Sequence, residues 1–388
     1  MQEMEELNTK DYRRVLNLLF GFMKDAAGEH QMNNLLVLMA NLGRDMVLAD
    51  RCSLWLFDED SQELWTKVAH GVNELRIPMD KGFVGYTLNS GKPLLIENAY
   101  QDNRFDPSSD EKTGYHTASV LTVPMFDSKG KVMGVFQAIN KQGDSPVFSQ
   151  SDLDCLNLTA VYSANTIESA KLTHELEETQ REIIHILGDV SEYRSQETGD
   201  HIQRVAEISG KIAMYLGLPP EEVNQIRLAA PMHDLGKVCI PDAVLNKPGR
   251  LTDEEFIIMR SHAELGESML RSSNRKLLRF AAVVAGSHHE RYDGKGYPRG
   301  LKGDEIPLAG RICAVADVMD ALASPRCYKE PWSEEKVKAE FIKQRNCQFE
   351  GRIVDVLIEH WDDIYKCYRE MMENQDDSWI AREASIRA

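Results

Sequence analysis

Up to about residue 150 the apolar positions fall in short runs of the kind strands make, and beyond about residue 190 they recur at helical spacing almost without a break. The strand-like runs are Cys52-Ser-Leu-Trp-Leu-Phe57, Leu64-Trp-Thr-Lys-Val-Ala69, Ser119-Val-Leu-Thr-Val-Pro-Met-Phe126 and Lys131-Val-Met-Gly-Val-Phe-Gln-Ala-Ile139. The last two are joined by Asp127-Ser-Lys-Gly130, whose glycine suits a positive φ, so they predict an antiparallel hairpin. Helical patterns flank this sheet at about residues 11–48 and again from Ser151. The expected product is an α+β domain over 30–170, behind an N-terminal helical segment at 1–29.

Between Ser151 and Leu187 there is no proline, and Leu153, Leu156, Val161, Ile167, Leu172, Leu176 and Ile183 keep roughly to one helical face amid charged neighbours. This predicts one long connecting helix over 151–190, with Ser151 and Asp154 as the capping pair at its start. Two readings of the apolar stripe stand side by side. It pairs with a second copy in a parallel coiled coil, making a homodimer, or it packs on its own domain. Further on, Gly217-Leu-Pro-Pro220, the capping box Thr252-Asp-Glu-Glu255 and the loop Asp293-Gly-Lys-Gly-Tyr-Pro298 punctuate helices of a second, all-α domain at 191–372, followed by a C-terminal tail at 373–388.

Charge and composition remove several classes of function. Lys plus Arg number 45 against 62 Asp plus Glu, a net charge of −17, so a nucleic-acid duplex would be bound against the protein's own field. No apolar run approaches the roughly 18 residues of a membrane span. The acidic opening Met1-Gln-Glu-Met-Glu-Glu-Leu7 also lacks the basic start and apolar stretch of a signal peptide, which reads as a cytoplasmic protein. The seven cysteines are scattered, with no Cys-x-x-Cys pair, so neither a disulfide framework nor a thiolate zinc site is expected.

The candidate chemistry lies in the second domain. Glu197 and His201 are four apart on a predicted helix and share a face. His233 and Asp234 end the apolar run Ile226-Arg-Leu-Ala-Ala-Pro-Met232, His262 follows about one helix later, His288 and His289 are adjacent, and Asp317 is embedded in Ile312-Cys-Ala-Val-Ala-Asp-Val-Met-Asp320. A polar group set in such runs is costly unless it has a partner. Each histidine alone reads as a core histidine with a satisfied partner. Together they read as ligands of divalent ions, and imidazole with carboxylate in place of thiolate favours Fe or Mn over structural Zn.

The order Glu197-Thr-Gly-Asp-His201, His233-Asp-Leu-Gly-Lys237, Asn246-Lys-Pro-Gly-Arg-Leu-Thr252, His262, His288-His-Glu-Arg-Tyr-Asp-Gly-Lys-Gly-Tyr-Pro298 and Asp317-Val-Met-Asp-Ala-Leu322 closely resembles the HD-GYP family of cyclic dinucleotide phosphodiesterases, over about residues 180–372. The resemblance implies an all-α HD-type fold and hydrolysis of cyclic di-GMP to linear pGpG, in some members onward to GMP. It makes His201, His233, Asp234, His262, His288, His289 and Asp317 the metal ligands, with Asp234 bridging, and Glu197 the acid that allows a third ion, hence two or three divalent ions per chain. It assigns Lys237 to the scissile phosphate, Tyr297, Asp320, Arg326 and Lys329 to the nucleotide, and the Gly-Tyr-Pro loop as a docking point for a diguanylate cyclase. The chemistry agrees: divalent ions supply a strong nucleophile at neutral pH and neutralise phosphate oxygens, with Lys237 and Arg326 taking up remaining charge. Such a pocket is locally cationic despite the acidic chain. Two departures stand out. Ala323-Ser-Pro-Arg-Cys-Tyr-Lys329 places Pro ahead of Arg326 and Cys327 in the usual Pro position, and Phe349-Glu-Gly351 replaces Phe-Asp-Pro, which is expected to loosen the following turn. They leave open a preference for 3′,3′-cyclic GMP-AMP.

Residues 30–170 resemble a GAF domain through Ala49-Asp-Arg-Cys-Ser-Leu-Trp-Leu-Phe-Asp58, Gly82-Phe-Val-Gly-Tyr86, Ile96-Glu-Asn-Ala-Tyr100 and Gly134-Val-Phe-Gln-Ala-Ile-Asn-Lys141. Asn140, Lys141, Phe148 and Asp152 match most of the signature of GAF domains that bind cyclic nucleotides, with Leu153 where that signature has Glu. They bind a cyclic nucleotide or another small effector, or merely tie a hairpin end to the helix start. The leading reading is a GAF-regulated, metal-dependent cyclic dinucleotide phosphodiesterase; the alternative from another class is a catalytically silent receptor or scaffold.

Overall fold

The computed structural model describes the backbone at residues 9–27, 29, 31–66, 74–195, 200–325 and 330–386, and the chain divides into two compact units, Met1–Leu176 and Glu177–Ala388. In the first, α1 (Thr9–Ala27) and α2 (Met32–Val47) precede β1 (Ala49–Asp58), β2 (Glu63–Thr66) and β3 (Leu75–Pro78). Then come α3 (Gly82–Ser90), β4 (Leu94–Ile96), α4 (Ser108–Thr113), β5 (Val120–Phe126), β6 (Val132–Lys141) and the start of α5 (Gln150–Ser195). The strands form one antiparallel sheet in the order β3-β2-β1-β6-β5-β4. Neighbouring residues of a strand face opposite sides, and both sides are covered. Phe136 packs with Leu36, Met39, Leu156 and Ile167 of α2 and α5, whereas Val135 packs with Trp55, Leu64, Val84 and Leu88. The short edge strands β3 and β4 lie outside the four expected ones, and residues 67–69 of the expected second strand lie outside the described residues.

The four signature residues are engaged within their own unit. Asn140, in the left-handed region at φ 57°, accepts from Ala118 N at 2.7 Å and donates to His116 O at 2.8 Å and Tyr115 Oη at 3.0 Å. Lys141 Nζ donates to Val47 O and to Asp152 Oδ1, both at 2.7 Å, and Phe148 is buried in the core. Of the two readings of the signature, the structural one describes these contacts. Asp152 also shifts the helix start from its expected place: its Oδ2 accepts from Ser149 N at 2.8 Å while Ser149 Oγ accepts from Asp152 N at 3.2 Å, so the cap is Ser149 and Asp152, not Ser151 and Asp154.

Helix α5 is longer than expected, and its apolar positions divide between two faces. Leu156, Ala160, Ala164 and Ile167 are buried in the first unit, whereas Leu172, Leu176, Ile183, Ile186, Val190 and Tyr193 are exposed. Among the described residues no helix is long and apolar enough to cross a membrane.

The second unit is helical: α6 (Asp200–Tyr215), α7 (Pro220–Ala229), α8 (Asp242–Leu245), α9 (Asp253–Arg271), α10 (Lys276–Ala285), α11 (Leu308–Ala323), α12 (Glu334–Lys343), α13 (Gly351–Glu359) and α14 (Trp361–Ile386). Val205, Ile208 and Ile212 recur at helical spacing along α6 and meet Ile312, Val315 and Met319 of α11 in the core, which fixes these two helices side by side. The turn before α13 is not loosened by the missing Asp-Pro. Glu350 Oε2 accepts from Arg311 Nη1 at 2.6 Å, and a Cβ at Gly351 would collide with the Asn346 side chain, so glycine permits the close packing.

Candidate metal centre

His201 stands in the first turn of α6, His262 midway along α9 and Asp317 midway along α11; His233 and Asp234 occupy the tight turn after α7, and His288 and His289 the turn that ends α10. Ligand atoms of Asp234, His262, His288 and His289 lie within 4.8 Å of one another, as do those of His201, His233 and Asp317. Of the other residues expected here, Glu197, Arg326 and Lys329 lie outside the described residues, with Cys327 beside them.

The two groups meet at Asp234. Its Oδ1 is 3.1 Å from His262 Nε2 and 3.4 Å from His288 Nε2, while its Oδ2 is 3.4 Å from His233 Nε2 and 2.8 Å from Lys237 Nζ. Each oxygen therefore faces a different set of imidazoles, the arrangement of a carboxylate that bridges two ions. The ring tautomers follow from the opposite nitrogens. His233 Nδ1 donates to Ala230 O at 2.8 Å, His262 Nδ1 to Met259 O at 2.7 Å and His288 Nδ1 to Ala285 O at 2.9 Å, each to a carbonyl three residues earlier that can only accept. His201 Nδ1 donates to Asp320 Oδ2 at 2.6 Å. With Nδ1 holding the proton, the Nε2 lone pair is bare in neutral rings. Nε2 of His201, His233, His262 and His288, together with Asp234 Oδ1, are buried with no hydrogen-bond partner among the described residues. Buried polar atoms converging without a hydrogen-bond partner are expensive in an apolar interior, so this set of side chains fits divalent ions.

The local electrostatics point the same way. Burial pushes the Asp234 carboxyl up, but Lys237 and then His233 outweigh it and hold the group well below the usual carboxylate range. His289 is held well below the usual imidazole range by burial first and by His288 second, so it stays neutral and able to ligate. Burial lowers His233, yet Asp234 and Asp317 outweigh that and raise it, so in metal-free protein an imidazolium offsets the carboxylates until an ion displaces its proton.

Asp320 requires a correction. Expected at the nucleotide, its carboxylate is buried and accepts from His201 Nδ1, from Arg204 Nε and Nη2, and from Ser324 Oγ at 3.1 Å. Burial pushes it up, but His201 and then Arg204 outweigh that and hold it at about pKa 2. It holds the His201 ring and the Arg204 guanidinium in place. Arg204, buried one turn after His201, was not anticipated, nor was Glu192 on α5, whose Oε1 is 3.6 Å from His201 Nε2.

Two glycines set the geometry. A Cβ at Gly236 would overlap the carbonyl of His262, and Gly266 of α9 faces Gly236, so the turn bearing Asp234 rests main chain on main chain against the helix bearing His262. At Gly296 a Cβ would overlap Arg291 N and the His289 carbonyl, so only glycine lets the loop return over the ligands. Glu290 holds that loop from inside, accepting from Arg299 N at 2.8 Å and Leu301 N at 3.0 Å. Tyr297 is thereby laid on His289, ring centres 4.6 Å apart, with the Arg260 guanidinium 5.0 Å from its ring. A cavity of about 190 Å³ opens here, lined by His289, Tyr297 and Asp317 and by the cations Arg260, Arg291 and Lys295.

Residues 171–349 match the family described as HD domain, and residues 33–167 the family described as GAF domain. A 3′3′-cGAMP-specific phosphodiesterase of Vibrio cholerae is 44% identical over 216 residues, 55% of this chain and 41% of that protein. A cyclic di-GMP phosphodiesterase response regulator of Xanthomonas campestris is 46% identical over 185 residues, 48% of this chain and 49% of that protein. A cyclic di-GMP phosphodiesterase of Thermotoga maritima is 44% identical over 195 residues, 50% of this chain and 53% of that protein. The chain spans about half the length of the curated relatives it matches.

Proposed function

We propose that this chain, which joins a GAF domain to an HD domain, is a metal-dependent phosphodiesterase of the HD-GYP type that opens cyclic di-GMP to linear pGpG. The observation that carries the reading is the carboxylate of Asp234, one oxygen turned to His262 and His288 and the other to His233. His201, His233 and Asp317 would hold one ion and His262, His288 and His289 a second, with Asp234 shared. Bound there, divalent ions supply Lewis acidity toward the phosphodiester and lower the pKa of water. Fe or Mn suits this imidazole and carboxylate set, and Glu197 is the residue for a third ion. Lys237, which donates to Asp234, would turn its ammonium to a phosphate oxygen of the substrate. Tyr297 offers a ring face to a base, and by the resemblance Arg326 and Lys329 complete the substrate contacts. The cavity is smaller than the about 300–1,000 Å³ of a site that encloses a whole drug-sized ligand, so it suits the scissile phosphate and its neighbour, with the rest of the dinucleotide outside.

A second substrate reading, 3′3′-cGAMP, is favoured by the Vibrio cholerae relative, whose match to this chain is longer than either of the other two described. Full-length protein purified without chelator is expected to carry two or three Fe or Mn ions per chain and to release linear product, and the faster of the two cyclic dinucleotides names the substrate. A full metal complement without turnover of either would replace the enzyme by a silent receptor.

The exposed face of α5 supports a homodimer. Leu172, Thr179, Ile186 and Tyr193 are seven apart, and so are Leu176, Ile183 and Val190, the two interleaved seven-residue repeats of a coiled-coil seam. Sedimentation equilibrium should give twice the 44.0 kDa of one chain, and Ile183→Glu should halve that mass. A monomeric parent protein would refute the pairing.

A further inference from the structure

At the His201 end of the centre, a carboxylate from outside the expected ligand motifs stands beside a donor nitrogen. Glu192 lies in the last turn of α5, and its side chain is only 2% exposed. Its Oε1 is 3.6 Å from His201 Nε2, and Asp317 Oδ1 approaches the same nitrogen at 3.5 Å. In the neutral ring that nitrogen carries the lone pair, because Nδ1 donates to Asp320. Donors bound to one ion at about 2.1 Å stand roughly 3.0–3.5 Å from one another, so these spacings are close to those of groups gathered around a cation.

The backbone holds Glu192 there. On one side of it Ser191 Oγ donates to Asp234 O at 2.7 Å, and on the other Arg194 donates to Val238 O, to Ile240 O at 3.1 Å and to Asp242 Oδ1 at 2.6 Å. The end of α5 is therefore fastened to the turn that carries His233 and Asp234, and Glu192 cannot swing away without breaking those bonds. A carboxylate sunk this deeply favours a positive charge beside it. Two of Arg204's nitrogens donate to Asp320, and a divalent ion at His201 would add a positive charge directly beside Glu192.

We infer that Glu192 is an acidic residue of the metal centre, supplied by the connecting helix, and that it strengthens the hold on a divalent ion at His201. The inference rests on the metal-centre part of the proposed function. The test takes the full-length protein and its Glu192→Gln variant, strips both of metal and titrates them with Mn²⁺ against a competing chelator. Thermal midpoints are recorded with and without Mn²⁺. Glutamine keeps size and shape and removes the charge. Mn²⁺ affinity should fall about 10- to 100-fold, the scale for residues that support metal ligands, and the midpoint gained on adding Mn²⁺ should shrink. The stripped proteins should melt within a few degrees of each other.

Affinity within twofold of the parent overturns the inference. So does a lower midpoint of stripped protein with an unchanged gain from Mn²⁺, the mark of a structural role. Glu192→Asp keeps the charge at shorter reach and should bind Mn²⁺ more tightly than the glutamine variant; the reverse order also overturns it, and this variant carries the test if glutamine prevents folding. A parent protein that binds no Mn²⁺ refutes the metal centre itself, which is a separate failure.

Discussion

Asp234→Asn should empty the centre of metal and cut turnover of cyclic di-GMP at least about 10²- to 10³-fold, the loss typical of removing one preorganised electrostatic group from an active site. Asparagine fills the same space but has one acceptor oxygen where aspartate has two. Its amide hydrogens would then point at one of the imidazole sets that Asp234 now faces with oxygen, His262 and His288 on one side or His233 on the other. It also withdraws the counter-charge from Lys237, 2.8 Å away. Both groups of donors lose their shared member, so ions should leave both positions and not one. Elemental analysis and product chromatography on the same sample check this, with circular dichroism to show that the helices persist. Full metal content with activity within tenfold of the parent would remove Asp234 from its bridging place.

Asp320→Ala should destabilise the helical unit by about 3–5 kcal/mol, the usual cost of removing one partner from a buried ion pair. Arg204 is 1% exposed and directs Nε and Nη2 at this carboxylate, and His201 Nδ1 donates to it as well. Ser324 Oγ bridges it to Tyr368 Oη at 3.0 Å, so four elements of the network lose their centre together. Urea unfolding of stripped protein is the measurement, because it reads the network without any ion or substrate. A residue whose task is to touch the nucleotide would leave that unfolding curve in place and raise KM instead. An unshifted curve with raised KM would restore the substrate role that the motif alone suggests.

Much of the centre is legible in the chain because its histidines sit in apolar helical runs where an unsupported imidazole is costly. A sharper signal was also present: His233, His262 and His288 each have a residue three positions earlier, Ala230, Met259 and Ala285, whose carbonyl takes the Nδ1 proton when the backbone is helical there. What stays hidden is which of two equivalent acids does what. Asp317 and Asp320 lie three apart on α11, so spacing puts both on one side of the helix. Only the position of Arg204 shows that Asp320 faces a guanidinium while Asp317 faces His201 and His233. The start of α5 has the same ambiguity. Ser149 and Ser151 are each followed three residues later by an aspartate, and Lys141, pairing with Asp152, settles the choice from another element. Glu192 escaped because its surroundings read as a solvated linker, with charged neighbours on both sides and no apolar run to mark it. In the sheet, β3 and β4 are too short to show alternation, and their place depends on pairing with β2 and β5.

The contact of Gly236 with the His262 carbonyl and with Gly266 would work as a ruler for any ion held here. Side chains can yield when a larger ion enters, but two stretches of main chain already touching cannot come closer. The gap between Asp234 and His262 is thereby set by peptide geometry. Calcium wants six to eight oxygen donors at about 2.3–2.6 Å and finds mostly nitrogen on a fixed frame, whereas ions that bind imidazole at about 2.0–2.2 Å match the spacing. A calcium surge in the surrounding solution should therefore pass this centre by, and a lack of transition metal should silence it.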